Sequence, residues 1–205
     1  MSPQTPRRSY EASTTATLFT FAGGFGGGGS PHPILVLKLI GIDPGLRFTG
    51  WGLIEVDGNR LRHLADGVLA TSSEDPVPFR LRVLHDGLAA LLALHRPDEA
   101  AVEETYVNRN GAATLKLGYA RGIALLAPAL MGIPVIEYGA KAVKSAVVGT
   151  GNADKTQVAD MVRRLLPGAT MKRADASDAL AVAICHAHHR ASRAVWAQAA
   201  ARARL

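Results

Sequence analysis

Four acidic residues lie where the sequence pattern predicts that secondary-structure elements begin or end. Asp43 closes the apolar run ILVLKLIGID, and Glu103 follows Val102 in the short run EAAVEE. Asp175 and Asp178 open the apolar series of ADASDALAVAI, and their spacing places both on one face of a helix. Carboxylates held in one site repel each other unless a cation neutralises them, and clusters of oxygen ligands suit Mg²⁺ or Mn²⁺. The four acids therefore predict a site for a hard divalent metal ion.

A metal site of this kind can hydrolyse a phosphodiester. Two ions about 3.5–4 Å apart activate a water molecule and stabilise the departing oxygen. Each acid also has an ordinary structural explanation. Asp43 begins an Asp-Pro-Gly turn, Glu103 and Glu104 could form a solvated strand end, and Asp175 with Asp178 could cap a helix. Their joint placement at the ends of elements favours the metal site over these separate explanations.

Apolar periodicity and turn residues predict elements in the order β-β-β-α-β-α-β-α-α-α. This order describes one α/β domain with a mixed five-stranded sheet flanked by helices. The first and fourth strands can be neighbours in such a sheet, so Asp43 and Glu103 would face the same crevice. The predicted strands cover 34–43, 49–58, 61–70, 99–104 and 133–139, and the predicted helices cover 77–97, 110–131, about 140–147, about 154–166, and from about 175 toward the end.

Composition divides the 205-residue chain into three parts. Residues 1–36 are rich in Ser, Thr, Gly and Pro and are predicted to be a disordered low-complexity extension. Residues 37–190 are predicted to form the folded domain, and 191–205 a basic tail. The formal net charge of +6 favours a polyanionic partner such as a nucleic acid.

Several classes of protein are disfavoured by the sequence pattern. No apolar stretch reaches the roughly 20 residues that a membrane span requires, and Glu11 interrupts the export-like segment after Arg7-Arg8. The only cysteine, Cys185, lies in an apolar series and cannot form a disulfide framework, so we expect a cytoplasmic location without membrane contact. Asp154 stands where a phosphate-binding loop requires glycine before Lys155, which argues against nucleotide binding.

Four sequence blocks resemble the bacterial RuvC family of Holliday-junction resolvases, in the same order and spacing over about residues 38–190. The blocks are IGIDPGLRFTGWGLI, AVEETYVNRNGAATLKLGYARGIAL, YGAKAVKSAVVGTGNADKTQVADMVRRLL and ADASDALAVAICH. The resemblance implies an RNase H-like fold and a homodimer that nicks two symmetry-related strands of a four-way DNA junction, leaving 5′-phosphate and 3′-hydroxyl ends. It also implies cooperation with the branch-migration proteins RuvA and RuvB.

The resemblance assigns roles to particular residues of this chain. Asp43, Glu103, Asp175 and Asp178 match the metal-binding catalytic acids, which implies two Mg²⁺ ions per subunit, with Mn²⁺ as an alternative. Asp175 occupies a position where some family members have histidine. The residues expected to contact DNA are Tyr106, by stacking on bases, and Arg109, Lys144 and Lys155, by contacts to the backbone.

The remaining features lead to weaker predictions. Small Gly118 and Gly122, with Leu115 nearby, make helix 110–131 the candidate dimer contact. The histidines His186, His188 and His189 are expected to belong to a basic surface. Two other functions stay open: an RNA-processing nuclease of the same fold, and a non-catalytic junction-binding protein. A sugar-kinase or actin-type ATPase would need a second domain of this kind, for which 205 residues leave no room.

Overall fold

The computed structural model describes residues 36–104 and 111–202. The elements follow the predicted order throughout. The strands are β1 (Leu37–Asp43), β2 (Phe48–Asp57), β3 (Arg60–Ala70), β4 (Glu99–Glu104) and β5 (Val135–Gly139). The helices are α1 (Val77–His95), α2 (Gly111–Leu130), α3 (Ala140–Val148), α4 (Lys155–Leu165) and α5 (Ala174–Arg202).

The five strands form one mixed sheet in the order β3-β2-β1-β4-β5. Strands β1, β2 and β3 are antiparallel neighbours, whereas β1, β4 and β5 run parallel. Ile42 lies beside Val102 in the parallel pair, which confirms that the first and fourth strands are adjacent. The carboxyl ends of β1 and β4 therefore meet at the same edge of the sheet, as the crevice prediction requires.

Helices cover both faces of the sheet and bury the alternating side chains of its central strands. Leu39 and Ile54 pack in a cluster with residues of α3, α4 and α5, whereas Ile40 and Ile42 pack with residues of α1 and α2. This alternation follows from the two-residue period of a strand. Each fully buried aliphatic side chain contributes about 1.5–3 kcal/mol, so the central strand is held firmly from both sides.

Two glycines allow α5 to lie directly on the sheet. A Cβ atom at Gly41 would collide with the carbonyl oxygen of Ala179, and one at Gly50 would collide with the carbonyl oxygen of Asp175. Because glycine has no Cβ, the beginning of α5 can approach β1 and β2 closely. This approach brings Asp175 and Asp178 to the edge where β1 ends.

The prediction that His186 belongs to a basic surface is wrong. Its side chain is fully buried. With the proton on Nε2, the ring donates to the Glu99 carboxylate (2.8 Å) and accepts from the Tyr138 hydroxyl at Nδ1 (2.8 Å). His188 and His189 are exposed as predicted. The reason for the error is that α5 is buried on all sides from Ala179 to Ala187, so a polar side chain in this stretch needs internal partners.

Two smaller predictions can be compared with the described residues. Cys185 is fully buried, and burial raises the pKa of its thiol to about 12, as expected for an inert buried cysteine. Asp154 caps α4 by accepting a hydrogen bond from the backbone N–H of Gln157 (2.9 Å), which explains the acid before Lys155 without a nucleotide. Within residues 36–104 and 111–202, no helix has the length and apolarity needed to cross a bilayer.

Candidate active site

Three elements bring acidic side chains to one cavity of about 390 Å³. Asp43 is the last residue of β1, Glu103 lies at the carboxyl end of β4, and Asp178 lies near the beginning of α5. The charged residues that line the cavity are Asp43, Glu103, Glu104, Lys144, Lys155 and Asp178. The crevice predicted from the strand order is therefore present, and it is lined by three of the four predicted acids.

The acids in this cavity are held in an environment that disfavours negative charge. Burial is the main cause that raises the pKa of Asp43 from 3.8 to about 7, and the neighbouring charges of Glu103, Asp178 and Asp175 contribute in that order. The pKa of Glu103 is also raised, first by burial and then by the charge of Asp178. Both carboxylates would be stabilised as anions by added positive charge.

Two lysines supply part of that positive charge. Lys155 Nζ donates to Asp178 Oδ2 at 3.1 Å, and this hydrogen bond is the main cause of the raised pKa of Lys155. Lys144 lines the same cavity, and its charge opposes the upward shift of the Glu103 pKa. Both lysines therefore lie beside the acids, where a phosphate group bound at the cavity would be within their reach.

Asp175 lies at the margin of this arrangement. Its charge raises the pKa of Asp43, but its side chain does not line the cavity and instead accepts a hydrogen bond from Arg173 Nε at 3.3 Å. Sequence reasoning did not single out Arg173. The available signal was a basic residue placed two positions before an acid of the site. Tyr106 and Arg109, the other two residues predicted to contact DNA, lie outside the described residues.

The donor set suits a hard cation, although the carboxylates are spaced more widely than the ligands of a single ion. All the acids that shift the Asp43 pKa offer only oxygen ligands, as Mg²⁺ and Mn²⁺ prefer. Across 36–104 and 111–202, no three Asp, Glu, His or Cys side chains already have the spacing of ligands to one ion.

The turn that follows Asp43 is fixed by a threonine that sequence reasoning missed. Thr49 is almost fully buried, and its hydroxyl donates to the carbonyl oxygen of Gly45 at 2.8 Å. The same hydroxyl accepts a longer bond from the Gly45 N–H. A hydroxyl that bonds both backbone groups of one residue holds the Pro44-Gly45 turn, which directly follows Asp43, in place.

Comparisons with known proteins identify the family of this chain. Residues 39–186 match the family described as crossover junction endodeoxyribonuclease RuvC. The protein of that name from Granulibacter bethesdensis is 74% identical over 171 residues, covering 83% of this chain and 96% of the relative. Its counterpart from Gluconacetobacter diazotrophicus is 75% identical over 157 residues, covering 77% of this chain and 94% of the relative.

A solved structure extends the agreement to three dimensions. The structure of T. thermophilus RuvC in complex with Holliday junction substrate superposes with a TM-score of 0.72 at 36% sequence identity, covering 76% of this chain and 96% of the other. The mixed five-stranded sheet with flanking helices is therefore the RNase H-like fold that the resemblance implied. On the family match and these identities, the chain belongs to the RuvC family of crossover junction endodeoxyribonucleases.

Proposed function

We propose that this chain is a Holliday junction resolvase, which nicks two symmetry-related strands of a four-way DNA junction by divalent-metal-dependent hydrolysis. The observation that carries the proposal is the cavity in which Asp43, Glu103 and Asp178 are flanked by Lys144 and Lys155. Phosphodiester hydrolysis of this kind requires carboxylates that bind a metal ion and positively charged side chains that bind the phosphate. The complex formed by the T. thermophilus relative supports a four-way junction as the substrate.

The acids of the cavity fit the metal that the family resemblance implies. Asp43, Glu103 and Asp178 would hold it, with Asp175 contributing from the margin, and we propose two Mg²⁺ ions per subunit with Mn²⁺ as a substitute. Bound ions of this kind supply an activated water and stabilise the charge on the leaving oxygen. The protein's own contribution is a cluster of partly buried carboxylates whose raised pKa values, at Asp43 and Glu103, favour added positive charge.

The basic residues would hold the DNA in place. Lys155 and Lys144 lie at the cavity and are suited to backbone phosphates as point charges. We extend the same proposal to Arg109, and we propose that Tyr106 stacks on a base near the junction. Neutralising Lys144 or Lys155 should lower the slope of log affinity against log salt by about one for each phosphate that the variant no longer neutralises.

A homodimer would present two equivalent sites to two equivalent strands. Helix α2 offers a suitable surface, because Leu115, Tyr119 and Leu126 are exposed along one face. Gly118 and Gly122 lie on the same face, and a Cβ atom added at either position would meet nothing within 4 Å. A second copy could approach closely along this stripe. The resemblance further implies RuvA and RuvB as partners and a cytoplasmic location, and we propose both on that basis.

The decisive experiment incubates the purified protein with a labelled immobile four-way junction, with and without Mg²⁺. We expect paired nicks only with the metal. Asp43→Asn should bind the junction normally and lose nicking, because the lysines remain while the metal site does not. Asp160→Asn is the matched control, since Asp160 is an exposed acid of α4 paired with Arg163.

The same experiment separates the alternative functions. Preferential cleavage of structured RNA over the junction would replace our proposal with an RNA-processing nuclease. Junction binding without metal-dependent cleavage by the wild-type protein would indicate a non-catalytic binding protein. Wild-type cleavage rates for Asp43→Asn would remove the basis for the site.

A further inference from the structure

Three basic side chains and one phenylalanine form a second group near Asp175, apart from Lys144 and Lys155. The group consists of Arg47, Phe48, Lys172 and Arg173, and we name it the flank surface. Arg47, Lys172 and Arg173 are exposed, and Phe48 is half-buried. Lys172 and Arg173 belong to the loop between α4 and α5, whereas Arg47 and Phe48 precede and begin β2. Metal-dependent hydrolysis at the acid cavity uses none of the four.

The loop that carries Lys172 and Arg173 is anchored to the sheet. Thr170 donates to Asp66 Oδ1 of β3 through its hydroxyl (3.2 Å) and its backbone N–H (3.3 Å). The Asp66 side chain is only 3% exposed and also contacts His63 Nε2 at 2.7 Å. A buried carboxylate with these partners fixes the loop on β3, so the two basic residues that follow have a defined position.

The backbone between the anchor and the basic residues is strained. Met171 has φ = +38°, a left-handed conformation that is unfavourable for a residue other than glycine. A structure keeps such a residue only where its surroundings determine the conformation strongly. Here the strained residue directly precedes Lys172 and Arg173, and its conformation sets the direction in which they leave the anchored loop.

Phe48 organises the two guanidinium groups of the flank surface. Arg173 Cζ lies 3.9 Å from the centroid of the Phe48 ring, and Arg47 Cζ lies 5.2 Å from it. Stacking on a ring restrains a guanidinium while leaving N–H groups at its edge for other acceptors. Arg173 directs Nε toward Asp175, so its terminal nitrogens remain to contact a ligand.

The flank surface and Lys144 lie on opposite sides of the acids. In the sheet, β2 lies on one side of β1, and β4 and β5 lie on the other. Gly50 of β2 pairs with Asp43, and Phe48 begins the same strand. Lys144 belongs to α3, which follows β5 directly. A strand of DNA that crosses the acids and contacts Lys144 on one side would therefore reach the flank surface on the other.

We propose that the flank surface binds the sugar–phosphate backbone of DNA on the side of the scissile phosphate opposite to Lys144. This proposal rests on the proposed function, because it takes the acid cavity as the point of cleavage. Two exposed guanidinium groups on the Phe48 ring, with exposed Lys172 next to Arg173 in the chain, match the phosphates of nucleic acid in charge and in hydrogen-bonding capacity. The surface would position the strand and carry no base specificity.

The first test measures binding of an immobile junction across a range of salt concentrations, in the non-cleaving Asp43→Asn background. Replacing both Arg47 and Lys172 by Gln should lower the slope of log affinity against log salt by about two and weaken binding roughly tenfold. The matched control replaces Arg60 and Arg62 by Gln. These exposed residues lie at the beginning of β3, whereas Phe48 pairs with Ala70 at its end, so the slope should stay unchanged. Equal slopes for the double variant and its parent would overturn the proposal.

A second test locates the contact directly. Because the chain has one cysteine and it is fully buried, Lys172→Cys would attach an iron–EDTA reagent selectively. We expect backbone cuts on one side of the scissile phosphate, and none with Arg62→Cys. Absence of cuts at Lys172→Cys, or equal cuts in the control, would refute the assignment. Nicking by the unmodified wild-type protein is measured in parallel. If the wild type nicks the junction while the flank-surface tests fail, only the flank-surface proposal is wrong; if the wild type does not nick, the proposed function itself is wrong.

Discussion

Glu99 and Glu103 are the same residue type on the same strand, and their surroundings move their pKa values in opposite directions. Glu99, at the beginning of β4, accepts hydrogen bonds from His186 Nε2 and Arg190 Nε, each at 2.8 Å. These contacts, led by the one from His186, lower the pKa of Glu99 to about 2. At the other end of β4, burial and the charge of Asp178 raise the pKa of Glu103.

Under the proposed function, one strand serves stability at one end and chemistry at the other. Around Glu99 the negative charge is matched by donors from α5, so ionisation favours the folded state. Around Glu103 the charge is placed among other acids, so ionisation disfavours the folded state until positive charge is added. Local destabilisation of this kind is common at functional sites. The hydrogen bonds of Glu99 at the other end of β4 help to offset it.

The largest expected effect comes from neutralising the glutamate in the acid cavity. We expect Glu103→Gln to reduce junction nicking by a factor of at least about 10³, because the proposed function makes Glu103 a charged ligand of the catalytic metal. Its free energy of unfolding should be unchanged or higher, because repulsion with Asp178 is relieved. Nicking assays and urea unfolding measure the two effects.

Glu104→Gln is the comparison for that variant. Glu104 also lines the cavity, but it lies 3.8 Å from Arg121, which provides a partner for its charge. We expect its nicking rate to fall by less than about tenfold. If Glu104→Gln were the more damaging change, the assignment of the catalytic acid to Glu103 would be wrong.

The next largest effect concerns the stabilising end of β4. We expect Glu99→Ala to lower the free energy of unfolding by about 2–3 kcal/mol, because His186 is fully buried and would lose its acceptor. Glu99→Gln keeps an acceptor oxygen and should recover part of this loss. Urea unfolding monitored by circular dichroism measures both variants, and nicking per folded molecule should stay at the wild-type level.

Acid should weaken the fold through the same glutamate. The pKa of Glu99 is about 2 in the folded state against an ordinary 4.5, so the unfolded chain binds a proton more readily between these values. The stabilisation is present above about pH 4.5 and is lost as the pH falls toward 2. Because the Glu99 side chain is 23% exposed, we discount the shift for solvent screening and expect about 1–2 kcal/mol.

The measurement compares unfolding free energies of the wild type and Glu99→Gln at several pH values from 6 to 3. Other carboxylates also titrate in this interval, so the difference between the two proteins isolates the contribution of Glu99. We expect that difference to shrink as the pH falls. A difference that stays constant down to pH 3 would show that ionisation of Glu99 does not contribute to the stability of the fold.

Local sequence pattern predicted the framework of this molecule well. Strand and helix order followed from periodicity and turns, and the adjacency of Asp43 and Glu103 followed from the parallel pairing of β1 with β4. These features depend on short stretches of sequence together with general rules for sheets. The two-residue period of β1 is enough to place Leu39 and Ile40 on opposite faces.

The side-chain partners could not be predicted in the same way. Glu99 and His186 are separated by 87 positions, and Asp66 and Thr170 by 104, so no local pattern relates them. Asp175 lies at the margin of the cavity, where its side chain accepts a hydrogen bond from Arg173, and neither feature follows from the spacing of the acids. Such contacts depend on how α5 and the loop before it pack on the sheet. This packing is determined by the whole fold.

The smallest expected effect comes from the remaining partner of His186. The Tyr138 hydroxyl donates to His186 Nδ1 at 2.8 Å in the buried interior, while Tyr138 lies beside Glu103 in the parallel register. We expect Tyr138→Phe to lower the free energy of unfolding by about 1 kcal/mol, because one buried hydrogen bond is removed while the ring is kept. Nicking should be unaffected, because the hydroxyl points toward the stabilising network. A loss of nicking at unchanged stability would contradict this expectation. It would show that the hydrogen bonds around Glu99 also affect the activity at the Glu103 end of β4.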